Sequence, residues 1–278
     1  MRIPDVVRRW IDPLTERIPV PVVGGLNRGR WWNLASAGSG YATGRRAHNQ
    51  MAAFQRLIAP GSIVWDVGAH HGCVTLLAAA QVGPSGWVYA FEPGRQSVRI
   101  LRRHLRWNRV HNVSVQEVAL SSYTGLARFG GGVTSKMNAL GSGDDEVAVA
   151  TGESLIHSGA VRAPTFVKID VEGAEGAVLE GVLPILPSRA VMVVALHSAA
   201  ADQHCTRLLL EKGFELLPSR ELEQARRSSW SGDPDLLCVG PDHQDDGRIA
   251  QLCQIGRFRK RESPIEPRSF ASGFPGTQ

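Results

Sequence analysis

Residues 63–72 read IVWDVGAHHG. An apolar run ends in a carboxylate, two glycines flank a pair of histidines, and a helix-like segment follows. A nucleotide-binding strand–loop–helix begins in this way. The loop is not of the phosphate-binding kind. A dinucleotide fingerprint needs GxGxxG, but bulky His70 stands where the middle glycine belongs, and no GxxxxGK[ST] run occurs.

Asp66, just before the loop, suits a nearby cation better than a pyrophosphate. The next apolar run closes on Glu92, 20 positions after Gly72. An acid placed there can accept hydrogen bonds from both hydroxyls of an adenosine ribose. These residues ask for an adenosine that carries positive charge and lacks phosphates. S-adenosylmethionine meets that description.

Outward from the loop the pattern alternates. Residues 62–67 predict a strand, 72–82 a helix and GWVYAFE (86–92) a strand. A helix follows over 94–108, NVSVQEVAL (112–120) alternates as a strand does, and PTFVKID (164–170) is another strand. Residues 173–186 predict a helix broken near Pro184, AVMVVALHS (190–198) a strongly apolar strand, and 200–212 a helix. Short strands close the series in FELLP (214–218) and DLLCVG (235–240), while QMAAFQRLIAPG (50–61) precedes it as a helix stopped by Pro60 and Gly61. Strands alternating with helices predict an α/β fold, a doubly wound, mostly parallel sheet with helices on both faces. Residues 121–150 break the rhythm with glycine clusters and short β-like pieces, LARFG and EVAVA, and read as an insertion at the rim of the ligand cleft.

Composition sets outer limits. A chain of 278 residues, 43% hydrophobic and 21% charged, builds a sizeable core and is not a disordered protein. No apolar run approaches the ~20 residues needed to cross a bilayer. Charges scattered through the first 20 residues argue against a signal peptide. Cys73, Cys205, Cys238 and Cys253 are widely separated with no CxxC pair, which suits thiols in a reducing compartment. The expectation is a soluble, cytoplasmic protein. The formal charge of +5 comes from local arginine clusters, as on the helix RQSVRILRRHLRWNR, whose Val98, Ile100, Leu101, Leu105 and Trp107 supply a buried stripe. Solvated helix faces account for such charge, and nucleic acid is not expected as a partner.

The expected organisation has three parts. Residues 1–48 form an N-terminal extension rich in Gly, Pro, Trp and Arg. In it Val6, Val7, Trp10, Ile11 and Leu14 recur at helical spacing, interrupted by Pro13, and predict a short amphipathic helix docked on the main domain. Residues 49–240 form that domain, and 241–278 a polar, part-disordered tail.

The stretches VWDVGAHHGCVTLLAA, VYAFEPGRQSVRILRRHL, NVSVQEVALSS and VKIDVEGAEGAVLEGV resemble the successive motifs of the FkbM family of S-adenosylmethionine-dependent methyltransferases. The resemblance runs from about residue 40 to 240, and the combination of DVGAxxG, AFEP and KIDVEGAE is what makes it specific. It implies the Rossmann-like class I methyltransferase sheet of seven strands with a reversed hairpin at its far edge. It also implies methyl transfer, usually to a hydroxyl of a sugar or a secondary metabolite. Asp66, Gly68 and Gly72 match the first cofactor motif, Ala69 and His70 fall within it as cofactor-binding candidates, and Glu92 with Pro93 match the ribose-binding one. Glu117 and Ala119 fall in QEVAL, where the family lines its adenine pocket. Asp170, Glu172, Gly173 and Glu175 match the motif beside the transferred methyl. The sequence departs from the family at His70, where Asn is usual, at TGESL, where a Leu-Asp pair is common, and at Ala195, which replaces a glutamate two residues before His197.

An alcohol is a poor nucleophile while protonated, so a general base is expected near it. Candidates are Asp170, Glu172 and His197, each at the end of a predicted central strand, with His197 having the ordinary pKa suited to neutral pH. His197 is equally well read as a histidine that hydrogen-bonds an adjacent acid. Asp170 and Glu172 also suit cofactor positioning and helix capping, a functional role is favoured for at least one of them, and Asp170 is counted in both roles. Glu175 reads as a first-turn helix acid, and Lys168, inside a buried strand, as a lysine that snorkels or pairs with a carboxylate. No HxxxH pair occurs, adjacent histidines do not easily face one ion, and no metal is expected. The leading expectation is O-methylation of a small-molecule or glycan acceptor. N-methylation, and a catalytically silent cofactor-binding module, are the alternatives. The acceptor's identity and the oligomeric state are not encoded in any motif.

Overall fold

The computed structural model describes residues 14–36, 40–43, 48–132, 139–219, 222, 235–244, 247–254 and 258. Among the described residues a hairpin of β1 (Pro19–Pro21) and β2 (Trp31–Asn33) precedes helix α1 (His48–Leu57). Then come β3 (Ile63–Val67), α2 (Cys73–Val82), β4 (Trp87–Phe91), α3 (Arg95–Trp107) and β5 (Val113–Gln116). A second small sheet takes β6 (Ala119–Leu120), β7 (Gly125–Gly130), β8 (Ala139–Leu140) and β9 (Asp145–Ala150). The chain returns through α4 (Gly152–His157), β10 (Phe166–Ile169), α5 (Glu175–Val182), β11 (Val191–Ala195) and α6 (Ala199–Glu211). It ends with β12 (Glu215–Pro218), β13 (Asp235–Val239) and α7 (Arg248–Gln254).

The main sheet has seven strands in the order β12-β13-β11-β10-β3-β4-β5. Its central strands are parallel, and β13 runs antiparallel to both β11 and β12, which makes the reversed edge hairpin. The expected doubly wound sheet is therefore present. Every residue of β10 and β11 is buried, as an apolar strand covered on both faces should be. Alternation sends Trp65, Val67, Val167, Ile169, Met192 and Val194 to the layer shared with Leu179 of α5 and Leu209 of α6. Val64, Phe166, Val191 and Val193 go to the opposite layer, against Phe54 of α1 and Leu77 of α2. From β3 the chain works outward to β5, then crosses back to β10 beside β3 and works outward the other way. That reversal opens a crevice at the carboxyl ends of β3 and β10, where ligands of such sheets bind.

Several local expectations change. NVSVQEVAL is not one strand. It leaves the main sheet after Gln116, and Ala119–Leu120 pairs instead with β9 in the second sheet. The helix read over 173–186 is α5 followed by a 3-10 turn at Leu183–Ile185, because Pro184 lacks the N–H that would extend the α-helix. Helix α4 was not anticipated; the Thr151 side chain caps it by accepting from the Ser154 N–H. Trp107 is only half-buried, and His104 takes its expected place in the buried stripe of α3. Of the amphipathic pattern in the extension, Val6, Val7, Trp10 and Ile11 lie outside the described residues, and Leu14 is exposed. The tail, expected to be part-disordered, contributes α7, whose Ile249 and Leu252 pack into the core.

Candidate active site

The loop after β3 is built on backbone geometry. Gly68 has φ +76°, and the N–H groups of Gly68 and Ala69 both donate to the Phe91 carbonyl at 3.0 Å. A Cβ at Gly68 would stand 1.9 Å from the Asp170 carbonyl oxygen, so only glycine lets the β3 and β10 loops meet. Among the described residues three non-glycines have positive φ, namely His70, Arg109 and Glu172, and two of those are in these crevice loops. Strain of this kind concentrates where a loop is held for function.

Glu92 is buried at the end of β4 and grips two backbones. Its Oε2 accepts from the His70 N–H and its Oε1 from the Gly94 N–H, both at 2.8 Å. Burial pushes its carboxyl up to about 7, against the pull of those two N–H donors. Each oxygen keeps a lone pair for a further donor.

Asp66 is placed differently from its sequence reading. It is fully buried, and the cation beside it belongs to the protein. Lys168 Nζ lies 3.2 Å from Asp66 Oδ1, while Thr75 Oγ1 donates to Asp66 Oδ2 at 2.6 Å. The register pairs Lys168 directly with Asp66 across β10 and β3. Lys168 also donates to the Gly68 carbonyl at 2.8 Å and the Val67 carbonyl at 3.2 Å, and lies 3.7 Å from Asp170 Oδ2. Burial disfavours its charge, but Asp66 and Asp170 outweigh that and raise its hold on the proton. Asp66 thus reaches the loop carbonyls through Lys168.

The three candidate catalytic residues come together. His197 Nε2 lies 3.5 Å from Asp170 Oδ1 and 3.6 Å from Glu172 Oε2. Its Nδ1 meets Glu175 Oε1 at 2.6 Å, and the same oxygen accepts from the Gly173 N–H at 2.9 Å. Asp170 and Glu172 are about a third exposed, whereas Glu175 is fully buried. Burial pulls the His197 imidazole down, yet the Glu175 hydrogen bond and the charges of Asp170, Glu175 and Glu172 push it up to about 9. Glu175, read from the sequence as a first-turn helix acid, is therefore placed to orient the His197 ring, a contact the sequence reading did not foresee. The two residues are 22 positions apart, and only the adjacency of β10 and β11 joins them. Asp170, Glu172 and His197 each offer one ligand atom within 4.8 Å of the others, so the cluster can share a proton or hold a cation.

The remaining candidates lie nearby or apart. Pro93 is half-buried beside Glu92, Gly72 starts α2 with φ +88°, and Ala119 is buried in β6. Glu117 points to the surface, where its carboxylate pairs with Arg102 at 2.5 Å. No helix among the described residues is long and apolar enough to cross a membrane.

Residues 66–216 match the methyltransferase FkbM domain. The chain is 29% identical over 155 residues to the hexuronic acid methyltransferase AglP of Haloferax volcanii, covering 54% of this chain and 62% of that protein. The chain thus matches less than two thirds of that relative's length. Among solved structures it is similar to a methyltransferase from Geobacter sulfurreducens, with TM-score 0.48 and 17% identity, covering 86% of this chain and 98% of that one. It is also similar to Aeropyrum pernix fibrillarin with natively bound S-adenosyl-L-methionine, with TM-score 0.45 and 15% identity, covering 68% and 74%.

Proposed function

The chain belongs to the methyltransferase FkbM domain family and uses S-adenosylmethionine, and from that premise we propose that it methylates a hydroxyl of a sugar or secondary metabolite. The observation that carries the proposal is the Asp170–Glu172–His197 cluster at the crevice mouth, pressed through Gly68 against the cofactor loop.

In this reading Glu92, whose backbone grip fixes where its remaining lone pairs point, would accept from the adenosine ribose hydroxyls. Loop 68–72 holds the methionine end, with Lys168 anchoring the Gly68 and Val67 carbonyls from behind. Asp170 and Glu172 present negative charge towards the sulfonium. His197, held by Glu175 and protonated at neutral pH, faces both carboxylates and fixes their place. Its role as base, open on sequence alone, passes to the carboxylates, because a protonated imidazole has no lone pair at Nε2 to offer. Glu172 or Asp170 takes the acceptor proton as the new O–CH3 bond forms and the S–CH3 bond breaks, leaving neutral S-adenosylhomocysteine. Holding oxygen, methyl carbon and sulfur in line supplies up to ~7–11 kcal/mol of the barrier in favourable intramolecular cases.

The similarity to AglP, a hexuronic acid methyltransferase, supports a glycan acceptor. A hydroxyl rather than a carboxylate fits this cluster. An acid arriving ionised would need no base and would meet two carboxylates of like charge. The test is incubation with methyl-labelled cofactor and panels of neutral and uronic-acid glycans. Label that survives mild alkali as an ether supports the reading; label released as methanol marks an ester and overturns the hydroxyl assignment. Calorimetry with S-adenosylhomocysteine tests the cofactor site. Binding lost in Glu92→Ala is expected, and unchanged affinity there removes Glu92 from the site.

A further inference from the structure

The hairpin β1–β2 lies before residue 66, outside the matched domain, yet it is fastened to the loop that the preceding reading gives to the cofactor. Trp32 is almost fully buried and stacks on the His104 ring at 3.9 Å between centroids. It shares a core cluster with Ala69 of the loop and Leu76 of α2. The backbone N–H of Asn33 donates to His104 Nε2 at 3.0 Å. A backbone N–H only donates, so Nε2 carries the lone pair and Nδ1 the proton. Nδ1 then donates to the His71 carbonyl at 2.8 Å. A second tether bypasses His104, since Asn27 Nδ2 donates to the Cys73 carbonyl at 2.9 Å. Asn108 holds the hairpin to α3 by accepting from the Trp31 N–H at 2.8 Å and donating to its carbonyl at 2.9 Å.

We propose that residues 22–33 form a strap that sets the conformation of loop 68–72, with His104 as the positioning residue that passes the constraint from the Asn33 N–H to the His71 carbonyl, so that affinity for S-adenosylmethionine depends on residues outside the matched domain. The geometry is specific to a neutral imidazole. Two hydrogen bonds leave from opposite sides of one ring, one accepted and one donated, and a cation would have to give up the first. Burial pushes His104 down to about 4, so the neutral ring is the form present at physiological pH. The strap matters to the loop because His70, which has a side chain, holds a left-handed backbone conformation. A loop under that strain relaxes unless its flanks are tied.

The proposal rests on the assignment of loop 68–72 to the cofactor, and the experiment separates the two. The full chain, and its variants Glu92→Ala, His104→Phe, His104→Asn and Asn27→Ala, are titrated with S-adenosylhomocysteine by calorimetry, and exchange of the 68–76 amides is followed by mass spectrometry. Phe keeps the stacking on Trp32 and removes both hydrogen bonds, while Asn restores a donor where Nδ1 stood. Expected is a roughly tenfold weaker affinity in His104→Phe at unchanged stoichiometry. Faster exchange in 68–76 accompanies it, with substantial recovery in His104→Asn and a smaller loss in Asn27→Ala. A merely structural defect would lower the binding-competent fraction and leave the affinity alone. Unchanged affinity in a folded His104→Phe, or no recovery in His104→Asn, overturns the strap while a weakened Glu92→Ala leaves the cofactor assignment standing. Unchanged affinity in Glu92→Ala overturns the assignment itself. Should His104→Phe fail to fold, unchanged affinity in Asn27→Ala decides against the strap.

Discussion

Replacing Lys168 with methionine tests the buried charge centre directly. The side chain of Lys168 is 4% exposed and that of Asp66 0%, in a layer otherwise filled by Val64, Phe166 and Leu77. Methionine fits the volume of the lysine stem, so packing changes little. What is lost is the counter-charge to Asp66, whose one remaining donor is the Thr75 hydroxyl. Breaking a buried pair by removing one partner costs about 3–5 kcal/mol, because the other charge stays behind uncompensated. For a domain of this size that corresponds to a fall in Tm of roughly 6–20 °C. The Gly68 carbonyl loses its 2.8 Å donor at the same time, so cofactor affinity falls with stability. Urea denaturation followed by tryptophan fluorescence measures the first effect, and calorimetry with S-adenosylhomocysteine the second. The double variant Lys168→Met with Asp66→Asn removes the stranded charge and recovers more than half of the lost stability. A Lys168→Met variant that loses less than about 1 kcal/mol, or single effects that simply add in the double, would refute the coupling.

Four further outcomes are expected. The His197 imidazole titrates near 9 by NMR and moves down in Glu175→Gln; a wild-type value at or below the ordinary 6.5 contradicts the carboxylate cage. Its folded value is raised, so its contribution to stability is present below pH 6.5 and is lost as pH climbs through about 9. His104 behaves oppositely. Its folded value is depressed to about 4, so the neutral ring favours the fold above pH 6.5, and up to about 3 kcal/mol is lost as pH falls from there through 4. Urea titrations across that window show a shallower acid limb in His104→Phe, and parallel limbs would exclude His104 as the source. Gly68→Ala abolishes binding of S-adenosylhomocysteine, since a left-handed alanine costs about 1–2 kcal/mol and its Cβ would strike the Asp170 carbonyl. Retained affinity there means that the two loops do not need to touch. Methyl transfer persists in excess EDTA, because the proton on His197 Nε2 sits where a cation would face Asp170 and Glu172; chelator-sensitive activity restored by a divalent ion reverses that assignment.

Much of this arrangement is legible in the sequence where the signal is local. IVWDV, WVYAF, FVKI and VMVVA are short apolar runs spaced by helical segments, and each becomes a strand at the expected place. Glu92 also falls where a strand-end acid should, with its carboxylate turned back onto the first loop. What escapes is information carried by register and long-range packing. Asp66 signals a cation, but the cation is Lys168, about a hundred residues later and brought opposite only by β10 pairing with β3. Glu175 looks like an ordinary helix-start acid until β11 delivers His197 beside it. NVSVQEVAL alternates only as far as Gln116; the adjacent polar pair Gln116 and Glu117 breaks the pattern where pairing partners change, a signal that the single-strand reading passed over. His104 reads as one polar residue on an arginine-rich helix, because its partners arrive from the hairpin and from the first loop.

That change of partners has a consequence for how the molecule tolerates novelty. Strands β6 to β9 satisfy their pairing within their own sheet, and that sheet rests on α5 where the Ser121 carbonyl comes too close to Gly181 for any side chain there. Exposed positions of β7 such as Leu126 are thereby separated in pairing from the strands that carry Asp66 and Lys168, whereas buried Phe129 comes up beside Gly94 and so next to Glu92. The outward face of this ledge can be remodelled without retuning the inner machinery, provided position 181 stays bare and Phe129 keeps its place.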